Sequence, residues 1–571
     1  MDKNEIIKNF QLASTKHKKG KVDNAIKILK KILKNNPNEY NSIFLLGSIN
    51  AQIKNYNEAI NLLKKSIEIN PNIADAHNNL GLIYMLTGDL KKSLLSLNQA
   101  IKIKPDYSAA YCNLGLLKNK LEKLDEAINH FKKSIEINPK DLVSHFNLGN
   151  LYKKKNNILN AESCYLESIK INASYFSAYN NLMDLYEKTN QRKKLINIIK
   201  KGEEYFNNNS TFNLFNAKNF FNIKKYQEAI DILENLEFNK LEISKEQTKN
   251  VILAKSYDKL KKFDKAYNYF NRANKISLNA NIKVYKRKRT IEIIKNRINF
   301  FSNLKKNHFY NSNISEEKSP IFLIGFPRSG TTLLDTILRS HPSIDVLEEK
   351  PIVEKWLSNI NDNFNDNLDY LNLIEQKNMK KIQNLYFDLR NKNLDNFNYN
   401  KTYIDKMPLN IVYVGEIVKI FPKAKFLFAL RNPCDCVLSC FMQSFEINDA
   451  MSNFFNLKDA SNLYSSIMSL WEIFMKKLSL NFHIIKYENL INNFEDSVKK
   501  TLKFVDMDWS DDVLNFYKTA ETGRMINTPS YDQVNKPIYK TSIEKWKNYE
   551  NQIKEVFPIL EPWIKKFDYK I

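Results

Sequence analysis

Cysteine is scarce in this chain. Five among 571 residues are too few, and too poorly placed, for a disulfide framework. Reduced thiols imply a cytoplasmic setting. Three of the five, Cys434, Cys436 and Cys440, crowd one stretch, but their 2-then-4 spacing fits no common zinc site. The seven histidines are scattered, so no metal centre is expected. No apolar run approaches the length of a membrane span. The opening Met1-Asp-Lys-Asn-Glu-Ile-Ile-Lys8 has no apolar secretory core, so no membrane partner is expected. Acidic residues are also short, 63 against 88 Lys and Arg, for a net charge of +25. That balance invites nucleic acid. The lysines, however, are spread over helix surfaces in company with Glu rather than gathered into a stripe with aromatics, so no nucleic-acid partner is expected. What is present argues for folded matter: 43% hydrophobic and 12% aromatic residues exclude general disorder, and the length calls for two domains.

The first half of the chain is periodic. Pro37, Pro71, Pro105 and Pro139 are 34 residues apart, as are Gly47, Gly81, Gly115 and Gly149. Ala25, Ala59, Ala127 and Ala161 keep register, with Ser93 filling the gap. A 34-residue period with Leu-Gly early, a small residue mid-unit and Pro at the end is the tetratricopeptide signature. The small residues let two helices approach, and the Pro ends the second one. Five units are clear, from about residue 4 to 173. A sixth has Met183 in place of Gly, and two looser pairs reach residue 279 through Tyr226-Gln-Glu-Ala229 and Phe263-Asp-Lys-Ala266. Cys112 and Cys164 fall on repeat helices.

Asn79, Asn113, Asn147 and Asn181 recur in the same period, each just before a Leu. That places one amide per repeat on the first helices, which line the concave surface of such a solenoid. An amide can donate to and accept from a peptide bond whatever its side chain. The array resembles the Asn ladder in the tetratricopeptide region of protein O-GlcNAc transferase, which implies a protein or peptide acceptor held in the groove. A homodimer is compatible with the same surface.

The second half opens on Pro320-Ile-Phe-Leu-Ile-Gly-Phe-Pro-Arg-Ser-Gly-Thr-Thr-Leu-Leu334. An apolar run, Ile321 to Ile324, reads as a buried parallel strand entering a loop and then a helix from Thr331 to Arg339. Such a junction aims backbone N–H groups and a helix N-terminus at one spot, which suits phosphate. A nucleotide triphosphatase would carry Lys where Thr331 stands. Here the cation is Arg328, inside the loop. A second buried run, Ala424 to Leu430, ends in Arg431-Asn-Pro-Cys-Asp-Cys-Val-Leu-Ser439. A third strand-like run, Phe482 to Ile485, precedes Lys486-Tyr-Glu-Asn-Leu490.

Pro-Arg-Ser-Gly-Thr-Thr resembles the 5′-phosphosulfate loop of sulfotransferases that use the donor PAPS (3′-phosphoadenosine 5′-phosphosulfate). Its Arg is similar to that of the tyrosylprotein sulfotransferase branch and its bacterial relatives. The resemblance spans about residues 318 to 550. It implies that Arg328, Ser329, Gly330, Thr331 and Thr332 hold the 5′-phosphosulfate, and that Arg431 and Ser439 grip the 3′-phosphate. It places Tyr487 beside the adenine and Lys545, of the Lys545-Trp546 pair, on a donor phosphate. Lys406, in Asp405-Lys-Met-Pro-Leu-Asn410, would contact the transferring group. Ser530, in Ser530-Tyr-Asp-Gln-Val-Asn-Lys-Pro537, would assist it. Counting from Arg328 along His341-Pro-Ser-Ile-Asp-Val-Leu-Glu-Glu349 makes Glu349 the catalytic base, with the adjacent Glu348 as runner-up.

The resulting expectation is an all-α solenoid over 1–279, a connecting helix and linker over 280–317, and an α/β P-loop-like domain with a parallel sheet over 318–571. Its activity would be metal-independent sulfuryl transfer from PAPS to an acceptor hydroxyl, on a polypeptide and with tyrosine among the choices. Soluble bacterial proteins joining tetratricopeptides to this domain are the closer overall likeness, and serine, sugar and lipid hydroxyls remain open. The alternative is an interaction scaffold whose transferase domain binds nucleotide but is inactive.

Overall fold

Small residues at fixed positions set the geometry of the first half. In the computed structural model, which describes residues 2–570 except 190, 207, 240–241, 282–286, 308, 310–318, 395–396, 446 and 518–541, each repeat is a pair of helices. Tyr40–Gln52 with Tyr56–Ile69, Ala74–Thr87 with Leu90–Ile103 and Ser108–Lys120 with Leu124–Ile137 are examples. The periodic glycines face the second helix of their own pair. A Cβ on Gly81 would stand 2.6 Å from Leu97 Cγ, and one on Gly115 would stand 2.7 Å from the Phe131 ring. Ala25, Ala59, Ala127 and Ala161 are fully buried. Ser93, which replaces Ala in one unit, is buried as well and donates to the Gly81 carbonyl at 2.7 Å. A buried hydroxyl is thus accommodated because it finds a partner. In the sixth unit Met183 is fully buried among Leu195, Ile198 and Phe212, so volume there replaces close approach.

Contacts divide the chain into two compact units, Met1–Asn219 and Phe220–Ile571. The second unit therefore includes the helices Ile243–Lys259 and Phe263–Asn281 along with the connecting helix Arg287–Asn303. That last helix is more than a tether. Arg297 is wholly buried, pairs with the equally buried Glu416 at 2.6 Å and lies 4.7 Å over the Tyr413 ring.

The core of this unit is a five-stranded sheet, all parallel, in the order β2-β3-β1-β4-β5. The strands are β1 (Ile321–Gly325), β2 (Ile344–Glu348), β3 (Thr402–Lys406), β4 (Lys425–Leu430) and β5 (Asn481–Lys486). The central strands β1 and β4 are the two apolar runs expected from the sequence, and β1 is buried throughout. Strands covered on both faces read as continuous apolar runs. The edge strands β2 and β5 carry Asp, Glu, Asn, His and Lys. β5 contains the third strand-like run, Phe482 to Ile485, whereas β3 shows no such run because it ends in Asp405-Lys406, a charged pair that is nevertheless buried. From β1 the chain crosses to β2 and β3 on one side, then passes to β4 on the other. In open parallel sheets a ligand crevice forms at such a switch, outside the carboxyl ends of the strands.

Candidate functional site

Parallel strands all end on one edge, so the segments singled out in the sequence converge there. β1 ends at Gly325, where a Cβ would stand 2.6 Å from the Ala429 carbonyl oxygen and 2.7 Å from Ser329 Oγ. Only glycine lets the loop leave so close to β4. Arg328 then adopts a left-handed conformation (φ 70°), as does Gly330 (φ 99°), whose missing Cβ would collide with the Tyr487 ring at 2.6 Å. Thr331 opens the helix Thr331–Ser340, whose N-terminus no side chain caps. Ser329, Thr331 and Thr332 are buried beside it.

The second loop touches the first. Arg328 Nε donates to Ser439 Oγ at 3.0 Å, across 111 residues of sequence. Arg431 Nη1 donates to the Arg328 carbonyl at 3.1 Å, its Nη2 donates to the Ser542 carbonyl at 2.5 Å, and its guanidinium lies 4.8 Å over Tyr487. Among the described residues, Arg431 Nε and Ser329 Oγ are buried polar atoms without a hydrogen-bond partner. Such atoms are uncommon because each costs free energy unless something satisfies it. Ser439 rides on the helix Pro433–Phe441, capped by Asn432, whose side chain accepts from Cys434 N at 2.9 Å. The Asn432 N–H donates in turn to Glu488, beside Tyr487.

β2 and β3 deliver the third group. Lys406, the last residue of β3, is fully buried and donates to Glu349 Oε1 at 2.6 Å. The Glu349 N–H donates to the Lys406 carbonyl at 2.8 Å, and Glu349 holds a left-handed conformation (φ 46°). For a non-glycine residue this costs about 1–3 kcal/mol and needs surrounding structure to enforce it. Glu348 differs from its neighbour. It ends β2, its Oε1 is buried without a partner, and burial followed by nearby Asp335 pushes its carboxyl above the usual range. His341 shapes the entry to β2: its Nδ1 accepts from Ser343 N at 3.2 Å while Nε2 meets the Asp508 carbonyl at 3.1 Å.

Of the remaining expected residues, one is not described and one is paired outside these loops. Ser530 lies outside the described residues, with the rest of its motif. Lys545 is described and bonded elsewhere, its ammonium donating to Asp258 at 2.8 Å. Sequence reasoning missed Asp258, for which no local signal exists, since its partner lies 287 residues away. It also passed over Asp435, which accepts from the backbone N–H groups of Glu544 at 2.8 Å and Trp546 at 2.9 Å. Its position in the first turn of a Pro-initiated helix was a usable clue.

Cys434, Cys436 and Cys440 are buried. Burial pushes the Cys434 thiol up to about 12 and the other two higher still. They pack the second loop's helix, with Cys440 Sγ 3.4 Å from the Pro327 carbonyl. Among the described residues no group of three or more His, Cys, Asp or Glu is placed to hold a metal, and no helix is long and apolar enough to cross a membrane.

In the repeats the four amides are half-buried, and all have taken partners. Asn79 Nδ2 donates to Ser48 at 3.1 Å, Asn113 to Asn78 at 2.8 Å and Asn181 to Asn150 at 2.7 Å, each in the preceding repeat or its neighbour helix. Asn147 instead donates within its own helix, to the Val143 carbonyl at 2.8 Å. The period is real, and three of its four donors tie first helices to one another.

Residues 320–511 match the profile described as Sulfotransferase family. The match takes in all five strands of the sheet and the loops that follow β1 and β4. Profiles described as Tetratricopeptide repeat or TPR repeat match residues 9–39, 47–88, 81–121, 108–141, 130–162 and 250–279. An uncharacterized protein of Aquifex aeolicus (strain VF5) is 30% identical over 365 residues, covering 60% of this chain and 45% of its own length. The protein-tyrosine sulfotransferase of Drosophila melanogaster is 26% identical over 255 residues, covering 41% of this chain and 48% of its own. The chain thus spans less than half of either relative. The crystal structure of MamA is 28% identical, covering 28% of this chain and 93% of that one, with a TM-score of 0.25.

Proposed function

We propose that this chain transfers a sulfuryl group from PAPS to an acceptor hydroxyl on a polypeptide, tyrosine included, presented by the repeats in a cytoplasmic setting. One observation carries the reading: two loops recognised separately in the sequence meet through the Arg328–Ser439 hydrogen bond, with Arg431 reaching back to the Arg328 carbonyl. The site around them is short of acceptors for the donors it has. Buried Ser329 Oγ and Arg431 Nε lack partners, and the helix N-terminus at Thr331 is uncapped. A donor phosphate fits all three.

In this reading Arg431 and Ser439 hold the 3′-phosphate, residues 328–332 cradle the 5′-phosphosulfate, Lys545 binds a donor phosphate, and Tyr487 lies beside the adenine. The acceptor oxygen forms a bond to sulfur as the sulfur–oxygen bond to the 5′-phosphate breaks. Arg328, Lys406 and Ser530 stabilise the charge that builds on the sulfuryl and phosphate oxygens. Glu349 takes the hydroxyl proton, a role worth about 10²–10⁴-fold in rate. Lys406 holds Glu349 in place through their 2.6 Å pair.

Calorimetry with 3′,5′-diphosphoadenosine and AMP tests the donor assignment. The bisphosphate should bind far more tightly, and Arg431→Ala should erase the preference. Equal affinities in the unmodified protein would overturn it.

A further inference from the structure

The helices Ile243–Lys259 and Phe263–Asn281, which include the repeat matched at residues 250–279, belong to the same compact unit as the region that matches the sulfotransferase family. Among their contacts with it, two lie on parts of the proposed donor site. The first is Phe441, the last residue of the helix carrying Ser439. Its ring stacks on Tyr267 at 5.0 Å and meets Phe270 edge-on at 6.5 Å, while Asn274 Nδ2 donates to its carbonyl at 2.9 Å. The second is Asp258. One of its oxygens accepts from Lys545 at 2.8 Å and the other from the Tyr549 hydroxyl at 2.6 Å.

The segment that holds Lys545 is otherwise moored through its backbone and the buried Trp546. It is fixed at Ser542 by Arg431 and at Glu544 and Trp546 by Asp435. Those bonds hold backbone and leave the lysine side chain free to swing. Asp258 supplies the missing constraint on that side chain. It is well placed to do so, because its carboxylate is only 12% exposed while the Lys545 side chain is 33% exposed. An ammonium has three donors, so one bond to Asp258 leaves two for a ligand oxygen. Tyr549, fully buried, fixes the carboxylate in turn.

We infer that Asp258, on the last tetratricopeptide repeat, is a positioning residue for donor binding: it aims Lys545 at a donor phosphate, so that this repeat completes the nucleotide site of the transferase. The inference rests on the proposed role of Lys545, and the experiment separates the two. Affinity for 3′,5′-diphosphoadenosine and melting temperature are measured for the full chain, Lys545→Ala, Asp258→Asn and the double variant. Lys545→Ala and Asp258→Asn should each weaken the nucleotide by about tenfold, and the double variant by no more than the worse single one, as expected of two groups acting as one. Asp258→Glu should recover part of the loss. Tyr549→Phe, which keeps Asp258 and Lys545, covers the case in which Asp258→Asn does not fold; it should weaken the nucleotide by a smaller factor. If Lys545→Ala binds like the parent, the reading of Lys545 fails. If Lys545→Ala weakens binding while Asp258→Asn and Tyr549→Phe leave it unchanged or tighten it, that reading stands and this inference is overturned.

Discussion

Glu349 and Glu348 show how much one residue's surroundings decide. They are adjacent and chemically alike, yet β2 ends between them. Glu348 keeps extended geometry with one carboxylate oxygen buried, whereas Glu349 turns left-handed onto Lys406. Glu349→Gln keeps the shape and removes the proton sink. Turnover should fall by about 10²-fold or more with 3′,5′-diphosphoadenosine affinity nearly unchanged. Single-turnover rates beside calorimetry check this, and normal turnover of Glu349→Gln with a collapse in Glu348→Gln would exchange their roles. Asp405 offers a residue-level pH test. It is buried at the end of β3 and accepts from the Tyr386 hydroxyl at 3.0 Å. Burial raises its carboxyl from 3.8 to about 7, so the folded state holds a proton that the unfolded chain has already lost. Stability from this group is therefore full below about pH 3.8 and is lost as pH rises to about 7. Asp405→Asn removes that loss. Its melting temperature relative to the parent should be more favourable at pH 8 than at pH 5.

At the scale of elements, the repeat pairs carry the clearest prediction. Gly115 faces the fully buried Phe131 ring at 2.7 Å, while the nearest atoms at Gly47 are Leu63 and Leu62 at 3.1–3.2 Å. Alanine favours a helix over glycine by about 1 kcal/mol, and overpacking costs about 1–3 kcal/mol. Gly115→Ala should therefore destabilise the chain in urea titrations, and Gly47→Ala should be near neutral or stabilising. The Asn array belongs to the same scale. Asn79, Asn113 and Asn181 donate between helices, and each such bond contributes about 0.5–1.5 kcal/mol. Changing these three to Ala should lower the melting temperature, whereas Asn147→Ala, which loses only a bond within its own helix, should hold or raise it. A triple variant that melts like the parent would return these amides to an acceptor-binding role alone.

On the scale of the whole molecule, the boundary between the two compact units falls within the helical stretch and not at its end. The compact second unit begins at Phe220, and its repeat helices hold Phe441, Lys545 and Tyr549. A fragment of residues 220–571 should fold cooperatively and bind 3′,5′-diphosphoadenosine. A fragment of residues 280–571 should melt lower and bind more weakly, since Phe441 and Tyr549 lose their packing partners. Circular dichroism melts and calorimetry on both fragments check this.

Local pattern was enough for much of this protein. A 34-residue period, three strand-like runs and the loops that follow them pointed to the repeats, β1, β4, β5 and the candidate phosphate-binding residues, because each signal is written in consecutive residues. β3 escaped notice because Asp405 and Lys406 are charged, and only the surrounding sheet makes a buried place for them. The meeting of Arg328 with Ser439, of Lys406 with Glu349 and of Lys545 with Asp258 was beyond sequence spacing. Those pairs are 111, 57 and 287 residues apart, and nothing in the chain between them encodes the approach. Tertiary packing decides them: the parallel sheet gathers its strand ends on one edge, and the last repeat closes against the helix that begins there.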